Sequence, residues 1–534
     1  MKNKNIIILI LILATAIFFR LWQLNQIPPG LYPDVAINGN DALETLRTHD
    51  FKLFYPENNG REGLFFWLIS ISFLIFGASV WSIKIVAAII GILTVLGTYL
   101  VSKEIFKLAN DKQLINKSEA IALIASFLIA TSFWHTLFSR LGFRAIMLPF
   151  VLVFGFYFLF KGLRKGLEKK KNIMELIISG IFFGMGFYTY ISYRLIVLLV
   201  PFVLLTWLLI YFKEKLQKKY WISITVYLIF IFITALPIGI YFLNNMQDFI
   251  GRAAPISVFA SQNPVMEFLK SLIIHLGMFN VYGDANWRHN FSGSPMLPWP
   301  IGILFLIGII YSIKEFILSI KNRNHNNLIV YLLLIGWFKV MLLPGALTTE
   351  GMPHALRVIG VIPVVYIFSA MGAVILFNLL SEKIKNKKIL IVLSLTFLLI
   401  TAGSEFKKYF FDWAGNPNVQ GAFTVNYYDL GNYLNTLPDD VQKYVIINEG
   451  GVRVPYPDGL PMPAQTPMFI ESTKYGKPRS TYLTRDQLDK INPDGKKTII
   501  APLIKDDGLF EDLKNRFPGK IEKVNNLYIY EINF

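Results

Sequence analysis

Apolar runs long enough to cross a bilayer recur through the first three quarters of this 534-residue chain, and they decide its fold class. A helix needs about 20 apolar residues to span the hydrocarbon layer. Runs at 5–24, 82–106, 118–137, 145–162, 173–191, 194–212, 221–243, 298–319, 327–343, 356–380 and 387–403 meet or approach that length. A further run, 63–77, is short for a crossing. A mean hydropathy of +0.49 and 45 phenylalanines point the same way, since no ordinary soluble protein hides so much apolar surface. The expected fold is an all-α polytopic membrane protein of about 11 transmembrane helices.

Charge orients the spans. A net charge of +17 raises the possibility of nucleic acid, but Lys and Arg sit in short clusters between apolar runs, as cytoplasmic loops do. The clusters from Lys161 to Lys171, Lys213 to Lys219, Lys314 to Arg323 and Ser381 to Lys388 are therefore placed inside, with Lys103, Lys107, Lys112 and Lys117. Threading between them puts 138–145, 244–297, 344–355 and everything after 404 outside. The first external loop, 25–62, is outside only if 63–77 is an interfacial or re-entrant helix. The N-terminal Lys-rich start and Ile6–Phe19 lack a small-residue cleavage site and read as a retained first span. The N-terminus is then cytoplasmic, the C-terminal domain extracytoplasmic, and the location the plasma membrane. With no cysteines, disulfides and thiolate metal sites are excluded.

The composition changes after Ala402. Residues 1–403 are read as the membrane domain, and 404–534 as a small α/β domain. Short β-type runs fall at Tyr444–Asn448, Thr498–Leu503 and Leu527–Ile532, with helical patterns at Tyr428–Leu437, Thr484–Lys490 and Leu509–Asn515. Nothing in this domain looks catalytic; it could hold an acceptor or cover the core. No internal repeat is evident, which disfavours an inverted-repeat transporter.

Odd polar residues collect on the external side. The first loop carries Asp34, Asp41, Glu44, Arg47, His49, Asp50, Glu57, Arg61 and Glu62 in a chain only 16% charged. Trp134-His135, Arg140 and Arg144 follow, then Asp284, Arg288 and His289 in the long loop 244–297, then Glu350, His354 and Arg357. Each has a bland reading. Arg140 and Arg144 could anchor a helix end, Asp284 could cap a turn with Gly283, and Arg357 could reach for the interface. His275 on an apolar run reads as packed, and Tyr188, Tyr190 and Tyr193 as an aromatic girdle. Taken together, carboxylates, arginines and histidines on one face suit the handling of a lipid-linked phosphate beside a general base. Asp34 is the strongest single candidate, because it follows Pro33 just past a span, where a carboxylate is costly unless used.

Several of these motifs form a pattern. Pro28-Pro29-Gly30-Leu31-Tyr32-Pro33-Asp34, Asn38-Gly39-Asn40-Asp41-Ala42 and Asn58-Asn59-Gly60-Arg61-Glu62-Gly63-Leu64 resemble bacterial members of the dolichyl-phosphate-mannose protein mannosyltransferase family. So do Trp134-His135 to Arg144, Asp284 to Asn290 and Pro353-His354-Ala355-Leu356-Arg357, over residues 1 to about 380. The resemblance implies the GT-C fold and transfer of a sugar from a polyprenyl-phosphate carrier outside the cytoplasm. It implies that Asp34 is the catalytic base. The family often has an acidic pair here, and its second position is Val35 in this chain, which leaves open whether Asp41 supports the site. It implies that His354 and Arg357 meet the carrier phosphate, and generally no tightly bound metal, although related oligosaccharyltransferases use one.

The expected function is therefore an inverting hexosyl or pentosyl transferase in the cell envelope. Asp34, with Asp41 as second candidate, would be catalytic; Arg61, Arg140, Arg144, Asp284, Arg288, His289, His354 and Arg357 would bind substrate. No cofactor is expected, with a divalent metal left open. The partners are a polyprenyl-phosphate sugar, a protein, glycan or lipid acceptor and the bilayer, and no nucleic acid. The alternative is a transporter or flippase of lipid-linked sugars, which would place charged or broken residues at mid-span.

Overall fold

The computed structural model describes residues 2–109, 117–164, 170–204, 217–251, 255–384 and 386–532. Lys112, the basic stretches 165–169 and 213–216 and the second half of the expected span 194–212 lie outside them. In chain order the main elements begin with α1 (Lys2–Leu21), α2 (Pro33–Thr48), the two-residue strands β1 (Phe54–Tyr55) and β2 (Arg61–Glu62), α3 (Leu64–Phe76) and α4 (Val80–Phe106). There follow α5 (Ser118–Thr131), α6 (Phe133–Leu141), α7 (Met147–Arg164), α8 (Lys170–Met185), α9 (Gln217–Asn244), α10 (Pro264–Gly277), α11 (Trp299–Lys321), α12 (His325–Ala346), α13 (Ile362–Lys383) and α14 (Lys387–Lys407). The chain divides into two compact units. Met1–Trp22, Ala87–Arg140 and Arg144–Trp413 form the first; Gln23–Val86, Leu141–Phe143 and Ala414–Phe534 form the second. The segment expected as the first external loop thus shares a unit with the C-terminal domain. That domain starts at 414, because α14 runs on through a π-helical turn, Lys408–Trp413.

The first unit is the helical one. Eight helices in the described residues are long and apolar enough to cross a membrane, or nine if the bent pair α5–α6 is one span. The expected span 173–191 appears as a shorter apolar helix, Ile173–Tyr188, and the described part of 194–212 lies in a second apolar stretch, Ile191–Leu204. The break between the two is local. Tyr190 is extended and Tyr193 turns inward, its hydroxyl donating to the Phe183 carbonyl at 2.6 Å. A Cβ on Gly186 would lie only 1.9 Å from the Tyr193 ring, so only glycine fits beneath it. Tyr188, Tyr190 and Tyr193 are all buried and do not form the expected girdle. Helices α11 and α13 approach through small residues, since a Cβ on Gly308 or Gly372 would meet the facing backbone carbonyl of Phe368 or Leu304.

The bend between α5 and α6, 57°, explains several buried charges. Ser132 is extended, which frees backbone groups that lipid cannot satisfy. Arg20 donates to the last carbonyls of α5, Ala130 at 2.7 Å and Ile129 at 3.1 Å, and also touches His135 Nδ1 at 2.7 Å. Glu405 accepts from the Phe133 N–H that opens α6, at 2.7 Å. The Ser132 hydroxyl accepts from Tyr366 at 2.6 Å. Side chains brought from α1, α13 and α14 thus complete both ends of the break.

In the second unit the C-terminal domain follows its apolar pattern. It comprises α15 (Val425–Thr436), β3 (Gln442–Ile447), the small hairpin β4 (Arg453–Val454) and β5 (Leu460–Pro461), α16 (Gln465–Tyr475), β6 (Thr481–Thr484), β7 (Thr498–Pro502), α17 (Asp507–Arg516), β8 (Lys520–Val524) and β9 (Leu527–Ile532). The five-stranded sheet has the order β6-β3-β7-β9-β8, parallel at β6-β3-β7 and antiparallel beyond. Strand β3 is apolar on both faces, as a covered parallel strand must be. Val445 and Ile447 pack with Leu430 and Leu434 of α15, whereas Tyr444 and Ile446 pack with Leu509 and Leu513 of α17.

The segment expected as an external loop, 25–62, contains the 16-residue helix α2. Pro33 at its first turn presets the backbone, and Asp34 sits where the helix dipole favours a carboxylate. Its low-propensity Asn38-Gly39-Asn40 is held by packing: a Cβ on Gly39 would lie 2.4 Å from the Phe469 ring of α16. Asn40 donates to Gln465 Oε1 at 2.8 Å, and the Leu31 carbonyl accepts from Thr424 and Thr466, each at 3.0 Å. Helix α3 has 13 residues and rises about 20 Å, short of the roughly 30 Å hydrocarbon core.

Candidate functional site

One face of α2 is a ladder of polar side chains. Asp34, Asn38, Asp41 and Thr45 recur at helical spacing, and the β1–β2 hairpin closes over them. Asn58 donates to Asp34 Oδ1 at 3.0 Å. Arg61 donates to Asn38 Oδ1 at 3.2 Å and pairs with Asp41 at 2.5 Å. Thr45 Oγ1 and the Tyr55 hydroxyl lie 2.7 Å apart. The turn that presents Asn58 is left-handed at Asn58, Asn59 and Gly60, a conformation Asn tolerates and Gly adopts freely. At Gly60 a Cβ would also strike Phe54, at 2.6 Å.

The ladder gives its two carboxylates different surroundings. Asp34 is half-buried, and among the described residues Asn58 is the side chain that donates to it. Asp41 is bound to Arg61, which is 1% exposed and also lies over the Tyr55 and Phe66 rings. Burial pushes the Asp41 carboxyl above the usual range, and the Arg61 guanidinium opposes that shift. Burial also raises the Tyr55 phenol, to about 12. The structure gives Arg61 and Asp41 to the support of this ladder.

The first unit holds a second cluster, built from the loop after α10 and the loop after α12. Asp284 Oδ1 accepts from the Asn286 N–H at 2.8 Å, closing the anticipated turn, while Oδ2 accepts from Ala355 N–H at 2.8 Å and meets His289 Nδ1 at 3.1 Å. The His289 and His354 rings lie beside one another, tilted by 36°, with centroids 4.8 Å apart. The ligand atoms of Asp284, His289 and His354 lie within 4.8 Å of one another, so these three could hold a metal ion. His275 is packed, as expected, but it also holds the second loop. Its Nδ1–H donates to the Ser271 carbonyl at 2.8 Å, and its Nε2 accepts from the His354 N–H at 3.1 Å. Burial lowers the basicity of His275.

Arg357 extends from the same loop. It donates to Thr348 Oγ1 at 2.8 Å and pairs with Glu350 at 3.1 Å. With Tyr190, Ser192, Arg194, Phe249 and Pro344 it lines a mostly apolar cavity of about 410 Å³. Arg144 lies over the Tyr190 ring, 5.5 Å from its centroid. Arg288 is half-buried beside His289, and its N–H donates to Asn286 Oδ1 at 3.0 Å. Arg140 is elsewhere: fully buried, it donates to the Phe19 and Trp22 carbonyls at 3.0 and 2.8 Å and lies over Tyr409 and Phe410. Sequence reasoning passed over Asn58 and Arg194. The second carried a signal, an arginine opening an apolar run beside three tyrosines.

Comparison with known proteins follows from this geometry. Residues 63–240 match a family model described as dolichyl-phosphate-mannose-protein mannosyltransferase, which is less than half of the chain. Among curated proteins no sequence matches. Among solved structures, ArnT from Cupriavidus metallidurans, bound to undecaprenyl phosphate, superposes with a TM-score of 0.57 at 11% identity, covering 99% of this chain and 98% of that one. The fold is GT-C.

The Archaeoglobus fulgidus oligosaccharyltransferase in its apo form agrees with this GT-C assignment, with a TM-score of 0.52 at 15% identity over 83% of this chain. AglB from the same organism, in complex with an inhibitory peptide and a dolichol-phosphate, gives the same score and identity over 84%. This GT-C chain spans 62% of the length of those oligosaccharyltransferase chains. At such identities the likeness is one of fold.

Proposed function

We propose that this GT-C protein is a membrane glycosyltransferase that moves a sugar from a polyprenyl-phosphate donor to an acceptor hydroxyl on the extracytoplasmic face. The observation that carries the reading is the apolar cavity that brings Arg194, Arg357 and Thr348 together. An isoprenoid phosphate needs a hydrophobic lining with cations at one end, and this cavity has that composition. The matched mannosyltransferase model and the undecaprenyl phosphate bound to ArnT support the same donor class.

The chemistry is a single displacement. The acceptor oxygen attacks the anomeric carbon, the bond from that carbon to the phosphate oxygen breaks, and the acceptor proton passes to Asp34. Inversion follows from one displacement with one base. Arg357, with Arg194 and Arg144, would stabilise the charge that grows on the departing phosphate. His354 shapes the Arg357 loop, since its Nδ1 accepts the Arg357 N–H at 3.4 Å. Asp41 would serve Asp34 indirectly through Arg61 and Asn38. The buried charges Arg20 and Glu405 complete a helix break, which removes two residues that a transport path would have used.

The test is sugar release from purified protein in detergent with a panel of synthetic polyprenyl-phosphate hexoses and pentoses, wild type against Asp34→Asn. Turnover of one donor, with a loss of at least about 100-fold in the variant, supports both the activity and the base. Turnover that Asp34→Asn leaves unchanged would remove Asp34 from the mechanism and keep the transferase. Donor binding without turnover across an acceptor panel would favour a lipid-sugar transporter.

A further inference from the structure

We infer that Asp284, His289 and His354 form a divalent-metal site, a question that the sequence left open. The inference stands on the geometry of one unit and does not depend on the proposed reaction.

The donor set is one carboxylate oxygen and two imidazole nitrogens. That mixture suits Zn²⁺ or Mn²⁺ better than the all-oxygen surroundings Ca²⁺ and Mg²⁺ prefer. At bond lengths near 2.0–2.1 Å, two tetrahedral ligands stand about 3.4 Å apart. The 3.1 Å between Asp284 Oδ2 and His289 Nδ1 is close to that edge. The remaining ligand atom lies within 4.8 Å, so a shift of at most about 1.4 Å in the more exposed His354 side chain closes the set. Three protein ligands leave a position for a substrate oxygen or water, the pattern of a catalytic rather than a structural ion.

The supports are those a metal site needs. Asp284 and His289 are 3% and 6% exposed. Backbone N–H groups of Asn286 and Ala355 aim the carboxylate. The loop that carries His354 is fastened by His275, whose own tautomer is set by the Ser271 carbonyl. A Cβ on Gly345 would lie 2.5 Å from the His275 ring, so that position must be glycine for the fastening to exist. Such outer partners orient ligands and tune affinity. A hydrogen-bonded Asp284–His289 pair alone would need neither the third histidine nor its fastening.

The experiment reads metal, not turnover. Purified protein is stripped with chelator, then equilibrated with Zn²⁺, Mn²⁺, Mg²⁺ or Ca²⁺ in separate samples. Bound metal and the thermal midpoint are measured for wild type, Asp284→Asn, His289→Gln and His354→Gln. The expected result is one Zn²⁺ or Mn²⁺ per chain, a raised midpoint, and affinity at least about tenfold weaker in each variant. The half-exposed His354→Gln keeps the test valid if substitution at buried Asp284 prevents folding. Binding well below one ion per chain, or equal binding by wild type and all folded variants, would overturn the site. Equal stabilisation by Ca²⁺ and Zn²⁺ would overturn the ligand assignment. None of these outcomes touches the transferase reading, which is decided by sugar release.

Discussion

The side-chain amide of Asn58 donates to Asp34 Oδ1 at 3.0 Å, from a left-handed turn to the first turn of a helix 24 residues earlier. This contact aims the carboxylate and leaves it half-exposed, a useful state for the base proposed above. Replacing Asn58 by Ala removes a hydrogen bond to a charged group, a contribution of about 1.5–3 kcal/mol. The expected outcome is a fall in kcat/KM of roughly 10- to 100-fold with little change in thermal midpoint. An unchanged kcat/KM would show that Asp34 is not aimed by Asn58.

Asp41 and Arg61 call for the opposite result. The pair is buried on the Arg61 side and fastens the hairpin to α2. Arg61→Met strands Asp41 and should destabilise the protein by about 3–5 kcal/mol. Asp41→Asn should lower the thermal midpoint while changing turnover per folded molecule by only a few-fold. A large loss of turnover at unchanged stability would return Asp41 to the catalytic step.

Arg194 and Arg357 line one apolar cavity. Arg194→Gln should raise KM for the lipid-linked donor by roughly tenfold and leave kcat less affected, because it removes a cation proposed to hold the donor before and during transfer alike. Arg357→Lys should fall short of wild type, since an ammonium cannot reproduce the forked contacts of a guanidinium. Initial-rate kinetics with a single donor separate the two.

Arg20 holds the carbonyls of Ile129 and Ala130 at the α5–α6 bend. Arg20→Met leaves those acceptors buried and unpaired, at about 1–3 kcal/mol each. A lower midpoint of thermal inactivation in detergent is expected, and an unchanged midpoint would count against this account of the bend.

The chain has no cysteine, so single cysteines report topology without background. A cysteine at exposed Asn322 should be sealed from a membrane-impermeant maleimide in intact cells, whereas one at exposed Asp458 should react. The reverse pattern would invert the assigned orientation.

Much of this was legible in the chain. Apolar run length located the membrane helices, and three strands of the C-terminal sheet were expected within two residues of where they lie. The two missed strands, β6 and β8, are the edges of that sheet, where the apolar signal is weakest. Helix α2 was hidden by Asn38-Gly39-Asn40, a turn-like triplet that α16 packs into helical form. Arg140 looked like a site residue because arginine beside a membrane usually has a task; its task is the carbonyls at the end of α1.

The sequence by itself determined what depends on neighbours along the chain: which runs suit lipid, where positive charge clusters between them, and which segments gather carboxylates, arginines and histidines. Only the tertiary structure decided which of those groups are available for chemistry. Asp34 stood out in the sequence by its place after Pro33, but only the fold brings Asn58 to it and Arg61 to Asp41 on the same helix. Asp284 and His289 lie 70 and 65 residues before His354, and only the folded chain places their ligand atoms within 4.8 Å. Partners distant in sequence leave no periodic mark, because hydrogen bonds and ion pairs depend on ångström-scale distance and direction, which are set by packing.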